Sequence, residues 1–157
     1  MFKHILIPID GSDTSLRAVE ELSDVLLPDS TTQVTLLIAI CVLDAAKTDF
    51  DPDYVVRHNE ALHRKAQSAL QRAAQRALEC GHTCQTKVIE GDPVSAAIAA
   101  EAKRGDYDLI IMGSRGLGMH KTDMHYLGSV TDHVIRQIET PVLVIPIHKL
   151  SKGRDEK

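Results

Sequence analysis

Residues 108–116 read Asp-Leu-Ile-Ile-Met-Gly-Ser-Arg-Gly and pass directly from an apolar run into a glycine-bearing loop. Farther along, Gly128-Ser129-Val130-Thr131 opens a segment with helical spacing. Glycine allows the backbone to approach a ligand closely because it has no Cβ. A helix start offers unpaired N–H groups and the positive end of the helix dipole. A buried strand, a glycine loop and a helix start with hydroxyl groups together predict a phosphate cradle.

The rest of the chain repeats this alternation of short apolar runs and helical patterns. Five apolar runs predict strands, at residues 5–9, 33–40, 83–90, 108–112 and 142–147. Strands that alternate with helices form right-handed crossovers and a parallel sheet covered on both faces. Ligands bind such sheets at the carboxyl ends of the strands, where the strand order reverses. Asp10 and Gly113 both follow apolar runs, and we expect them to meet at one crevice.

Helix boundaries are indicated by capping residues. Ser12 or Ser15 is expected to cap the first helix, and Gly81 to end a long helix over residues 54–80. Asp92 is expected to cap the next helix with Pro93 in its first turn. Residues 41–53, between the second strand and the long helix, have no clear period and predict a mobile loop that folds over a site. Pro146 lacks an N–H group and places the last strand at a sheet edge.

Composition narrows the class of protein. The 157 residues are 43% hydrophobic and 25% charged, which predicts one globular domain over residues 1–148 and a charged tail over 149–157. With a formal net charge of −4, 3% aromatic residues and no Trp, nucleic acid and anionic membranes are not expected partners. Three cysteines do not suggest a disulfide framework, and the segment after Met1 lacks a signal-peptide pattern, so a cytoplasmic location is expected.

Taken in order, the motifs resemble the universal stress protein family of the UspA type. The resemblance covers Met1 to Ile147 and rests on six segments: Ile7-Pro-Ile-Asp-Gly-Ser12, Val34-Thr-Leu-Leu37, Gly91-Asp-Pro93, residues 108–116, Leu127-Gly-Ser-Val130 and Thr140-Pro-Val-Leu-Val144. It implies an α/β fold with a five-stranded parallel sheet sandwiched by helices, like that of adenine nucleotide hydrolases and Rossmann-like proteins. It also implies a homodimer joined along Val142–Ile147.

The same resemblance implies an adenine nucleotide ligand: ATP, ADP or AMP, with Mg²⁺ or Mn²⁺ bridging the phosphates. The implied binding residues fall into three groups along the chain. Those for adenine and ribose are Pro8, Ile9, Asp10 and Ala39; those flanking ribose and phosphates are Met112, Gly113, Arg115 and Gly116; those holding the phosphates are Gly128, Ser129, Val130 and Thr131.

One departure from the family falls on the phosphate loop. Nucleotide-binding members carry Gly-x-x-Gly, nine residues and then Gly-Ser or Gly-Thr, whereas here eleven residues separate Gly116 from Gly128. The extra residues either bulge outward and leave the cradle intact, or reposition Gly116 and weaken binding. The sequence therefore leaves two further hypotheses open, an interaction dimer that binds no nucleotide and a hydrolase of adenine nucleotides. Any ATP hydrolysis or autophosphorylation is expected to be weak.

Other chemistry-bearing residues receive structural interpretations. Cys80, His82 and Cys84 resemble half of a zinc site, but a second ligand pair is missing from the sequence. Ser129, Asp132 and His133 lie within one helical turn, which does not suit a catalytic relay. His120 and His125 are interpreted as solvated loop residues.

Overall fold

The computed structural model describes residues 2–25, 31–114 and 127–146. In chain order the elements are β1 His4–Pro8, α1 Asp13–Glu20, α2 Leu22–Val25, β2 Gln33–Ile40, α3 Pro52–Glu79, β3 Cys84–Glu90, α4 Val94–Arg104, β4 Leu109–Gly113, α5 Ser129–Gln137 and β5 Val142–Ile145. The five predicted strands are all present, shifted by at most two residues at their ends.

The five strands form one parallel sheet in the order β3-β2-β1-β4-β5. The strand order reverses between β1 and β4, which are hydrogen-bonded neighbours although most of the described chain lies between them. The predicted α/β fold with a five-stranded parallel sheet is thus confirmed. β5 lies at an edge of the sheet and ends at Ile145, immediately before Pro146, as the missing proline N–H predicts.

Alternate side chains of the central strands supply two cores, one on each face of the sheet. Ile5, Ile7 and Leu36 pack with α1 and α3 on one face. Leu6, Leu37 and Ile110 pack with α4 and α5 on the other face. Continuous apolar runs arise because parallel strands are covered on both sides.

Most predicted helix ends are observed. The Ser12 hydroxyl caps α1 by accepting from the Ser15 N–H at 3.2 Å. Gly81 adopts a φ of +86° after α3. The Gly81 N–H donates to Leu78 O and the His82 N–H to Ala77 O, which is the pattern of a Schellman motif.

Three boundaries differ from the prediction. The helix after β1 is interrupted at Glu21, and α3 begins at Pro52, where Asp51 caps it. Asp92 is not the cap of α4: Pro93 occupies that position, and its carbonyl accepts from the Ala96 and Ala97 N–H groups. The prediction failed because the chain stays extended through Pro93, with φ of −73° and ψ of 154°.

A buried carboxylate links α4 to β3. Glu101 is 4% exposed, accepts from Lys87 Nζ at 2.7 Å and from Tyr107 OH at 3.2 Å, and pairs with Arg104. Burial raises the pKa of Glu101, but the hydrogen bonds from Lys87 and Arg104 outweigh this effect and hold the pKa below its ordinary value. Because the buried charge has these partners, it fixes α4 against the sheet.

Glu101→Gln is expected to lower the free energy of unfolding by about 2 kcal/mol at neutral pH, because Lys87 and Arg104 lose a charged acceptor. Because the pKa of Glu101 is lower in the folded than in the unfolded protein, Glu101 contributes its full stabilisation above its unfolded pKa, near 4.5. This stabilisation is lost as the pH falls through the folded pKa. Urea titrations from pH 7 to pH 3 should therefore show the two stabilities converging. Glu60→Gln, an exposed carboxylate beside Arg64, should change stability by less than about 0.5 kcal/mol. A difference between wild type and Glu101→Gln that is independent of pH would contradict this assignment.

Candidate functional site

The candidate site lies at the carboxyl ends of β1 and β4, where the strand order reverses. β1 leads into Ile9 and Asp10, and the Ile9 N–H donates to Leu37 O of β2 at 2.8 Å. β4 ends at Gly113, beside β1. The sheet topology therefore brings the two predicted halves of the site to the same edge, as expected from their positions after apolar runs.

The loop after β1 is held by its own side chains. Asp10 Oδ1 accepts from the Ser12 N–H at 2.9 Å, and Ser15 Oγ donates to Ser12 O at 2.9 Å. Gly11 needs its glycine because φ is +82°, and an added Cβ would lie 3.4 Å from the Ala69 Cβ. Pro8 and Ile9 are buried, whereas Asp10 is exposed. The loop therefore places the exposed Asp10 carboxylate next to the buried side chains of Pro8 and Ile9.

Hydrogen bonds join the end of β4 to the start of α5. The Gly128 N–H donates to Ser114 O at 2.7 Å, and the Ser114 N–H donates to Ile145 O at 2.8 Å. Thr131 Oγ1 donates to Gly113 O at 2.9 Å. Gly113 and the Gly128-Ser129 pair are therefore adjacent, although fourteen residues separate Gly113 from Gly128 in the sequence.

The first turn of α5 faces this edge without a side-chain cap. Gly128 is the N-cap residue and supplies no side-chain hydrogen bond, while Ser129 at the first helical position is exposed. Asp132 in this turn accepts from Arg136 Nε at 3.0 Å, a hydrogen bond that lowers the pKa of Asp132. The leading N–H groups of the helix are suited to receive an anion.

The other predicted residues differ in their position. Ala39 is half-buried near the carboxyl end of β2, and Met112 is buried in β4. Both pack on the α4 and α5 side of the sheet, where Val130 also contacts the core. The Thr131 hydroxyl is buried and gives its single proton to Gly113 O, so in this arrangement it positions α5 against β4. Arg115 and Gly116 lie outside the described residues.

Two contacts at this end of the sheet escape sequence reasoning. The Asn59 side chain donates to Leu43 O and accepts from the Leu43 N–H, both at 2.9 Å, and so anchors the β2–α3 loop to α3. His63 Nε2 lies 2.8 Å from Glu90 Oε1 at the end of β3. Asn59 and Glu90 are separated from their partners by 16 and 27 residues, and no local pattern marks such pairs.

Comparison with known proteins decides the family. The model of the universal stress protein family matches residues 1–146. The chain belongs to the universal stress protein family. A universal stress protein of Methanocaldococcus jannaschii is 31% identical over 148 residues, which cover 92% of this chain and 82% of that relative.

Solved structures agree with the fold of this universal stress protein. Hypothetical protein MJ0577, solved for the structure-based assignment of its biochemical function, has a TM-score of 0.79 and 27% identity, covering 96% of this chain and 99% of its own. A universal stress protein in complex with cAMP has a TM-score of 0.66 and 25% identity, covering 94% of this chain and 97% of its own. The α/β fold of universal stress proteins, with its five-stranded parallel sheet, is thereby established for this chain.

Metal-ligating side chains and long apolar helices would mark two other types of site in the described ranges 2–25, 31–114 and 127–146. Within them, no three His, Cys, Asp or Glu residues gather in a way that could hold a metal ion. Burial raises the pKa of Cys84 to about 11, so its thiol stays protonated near neutral pH. His120 and His125 fall outside these ranges. No helix of the described chain has the length and apolar character needed to cross a membrane.

Thr131→Val is expected to lower the free energy of unfolding by about 1 kcal/mol, because Gly113 O loses a buried hydrogen bond without a change of side-chain volume. Thr131→Ser keeps the hydroxyl and is the matched control, expected to retain the bond. Urea denaturation followed by circular dichroism measures both. Equal stability of Thr131→Val and wild type would show that the hydroxyl does not join α5 to β4.

Proposed function

We propose that this universal stress protein binds an adenine nucleotide, ATP, ADP or AMP, and acts as a nucleotide-dependent regulatory module in a stress response. The observation that carries the proposal is the uncapped first turn of α5, which is hydrogen-bonded to the end of β4 at the same edge of the sheet as the carboxyl end of β1. A helix start in this position attracts phosphate through its N–H groups and its dipole. A relative of the same fold in complex with cAMP supports an adenine nucleotide as the ligand.

The chemistry of the two halves suggests an orientation for the ligand. Phosphates belong at Gly128, Ser129 and Val130, where the Ser129 and Val130 N–H groups lie at the positive end of α5 and the Gly128 N–H is already bonded to Ser114 O. Asp10 would repel phosphates and is suited to accept hydrogen bonds from ribose hydroxyl groups. Half-buried Ala39 offers apolar surface to the base, and Ile9 remains a proposed neighbour of the base through its backbone. Arg115 and Gly116 remain proposed neighbours of the phosphates.

A divalent cation, Mg²⁺ or Mn²⁺, fits this proposal only as a bridge between phosphates. The described residues do not gather three metal-ligating side chains, so the phosphate oxygens would supply most of the ligands. The role of the residues at the start of α5 is then to orient the phosphates. Metal affinity in the absence of nucleotide is expected to be low.

Gly128→Val should weaken ATP binding at least about tenfold, because a buried branched side chain would fill the space in front of the α5 N–H groups. The φ of −60° at Gly128 is open to any residue, so the substitution tests space rather than backbone strain. Isothermal titration with ATP, ADP and AMP in the presence of Mg²⁺ measures the effect. Gly81→Asn is the control, because Gly81 lies at the opposite end of the sheet and asparagine tolerates its positive φ.

Freshly purified wild type should also release an adenine nucleotide on denaturation, identified by chromatography and mass. An empty protein that gives no heat with millimolar nucleotide and Mg²⁺ would refute the proposal. The interaction-dimer hypothesis would then stand in its place.

A homodimer through β5 is part of the proposal. Both edge strands expose backbone groups, but β3 carries charged and polar side chains whereas β5 reads Val-Leu-Val-Ile and is half-buried along most of its length. Leu143 and Ile145 pack on one core and Val142 on the other, while Val144 belongs to neither cluster. An apolar edge strand of this kind favours pairing with a second copy. Ile147, included in the predicted interface, lies outside the described residues.

Val144→Lys is expected to convert the dimer into a monomer, because a charge on the edge strand opposes strand pairing between copies. Sedimentation velocity at micromolar concentration distinguishes the mass of a monomer from that of a dimer. Val56→Lys, which places the same charge on an exposed position of α3, should leave the dimer intact. A Val144→Lys protein that still sediments as a dimer would exclude β5 as the interface.

A cytoplasmic location also belongs to the proposal. Cys41, Cys80 and Cys84 are all free thiols, and Cys41 is exposed. Thiols in this state suit a reducing compartment.

A further inference from the structure

A cavity of about 440 Å³ opens at the amino-terminal end of the sheet, opposite to the proposed nucleotide site. It lies between the segment that joins α4 to β4 and the segment that joins α5 to β5. Its polar and aromatic lining consists of Lys103, Asp106, Tyr107, Gln137, Glu139 and Thr140. The volume falls within the range of small-molecule pockets.

Two lining residues, Asp106 and Tyr107, and the Gly105 that precedes them have unusual constraints. Gly105 has no room for a side chain, because an added Cβ would lie 2.1 Å from the Tyr107 ring. Asp106 adopts a φ of +48°, which is uncommon for any residue with a side chain. Tyr107 is 8% exposed, and its hydroxyl donates to the buried Glu101 at 3.2 Å. The ring is therefore held in place before any ligand enters.

The charges around the cavity favour a cation. Asp106 and Glu139 bring two carboxylates to the lining against the single ammonium group of Lys103. Neither carboxylate forms an ion pair or hydrogen bond with another residue of the described chain. α4 ends at Arg104 and α5 at Gln137, so the negative ends of two helix dipoles also lie here.

A bare metal ion does not match this cavity. The described residues bring no three metal-ligating side chains together, and a single ion would leave most of the volume empty. An organic cation suits it better, because its ammonium group can meet the carboxylates while its carbon chain contacts the Tyr107 ring and Ala102. The face of an aromatic ring also attracts a cation.

We propose that this cavity, at the opposite end of the sheet from the nucleotide site, binds a small aliphatic amine through Asp106 and Glu139. Two sites of opposite preference would then occupy the two ends of one sheet. The carboxyl end receives an anion at a helix start, and the amino end receives a cation at two helix ends. This second site does not depend on nucleotide binding.

The test is a two-dimensional ¹H–¹⁵N NMR titration of the full chain with 1,5-diaminopentane. The expected result is saturable shifts of the Tyr107, Gln137 and Thr140 amides. The neutral analogue 1,5-pentanediol and the dianion glutarate have the same number of carbon atoms and should produce no saturable shifts there. Saturable shifts with glutarate, or none with the diamine up to 20 mM (a limit of about 2.3 kcal/mol), would overturn the proposal. These ligand comparisons use the wild-type protein, so they decide the matter without any variant.

Variants then assign the carboxylates. Asp106→Asn keeps a residue that tolerates positive φ, and Glu139→Gln keeps the side-chain length, so both remove only charge. Each is expected to weaken diamine binding about tenfold, the effect of losing one charge-assisted hydrogen bond. Asp49→Asn removes the same charge from the exposed β2–α3 loop and should leave affinity unchanged. Equal weakening by Asp49→Asn would show that the amine responds only to the net charge of the protein, and would overturn the proposal.

Discussion

The pairing of β1 with both β2 and β4 is the constraint on which the site depends. β1 is the central strand; one neighbour, β2, is the next strand along the chain, and the other, β4, follows only after β3. Because all three strands are parallel, their carboxyl ends lie at the same edge of the sheet. The segments that follow β1 and β4 leave that edge in opposite directions. The buried side chains of β1, such as Ile5, Leu6 and Ile7, contribute to both cores and keep this arrangement fixed.

The sheet could be predicted from the sequence because burial on both faces leaves a plain signal. A strand covered on two sides must be apolar throughout, as in Leu109–Met112, and helices between such strands imply parallel pairing. Turn chemistry located the helix ends equally well where one residue decides the geometry. Gly81 is the clearest case, since a positive φ favours glycine and the Schellman bonds follow from it.

Predictions were weaker where a residue has several possible partners. The sequence predicts that the Thr131 hydroxyl contacts a phosphate, whereas in the structure it donates to Gly113 O. No sequence pattern indicates that these two distant residues lie together. Asn59 and Glu90 depend on loops and strand ends that come together only in the folded chain. At Pro93, the statistical preference of proline for the first helical turn yields to an extended chain.

The hydrogen bond between Gly128 and Ser114 holds the two ends of the predicted phosphate cradle together. The geometry of these ends therefore does not depend on the number of residues between them. Loop-closure entropy grows only with the logarithm of length, so two residues beyond the usual nine cost about 0.2 kcal/mol. Insertions and deletions between Ser114 and Gly128 should therefore cost little stability as long as the hydrogen bond between these two residues is kept. The two ends of the site, Ser114 and Gly128, can therefore keep their geometry when the number of residues between them changes.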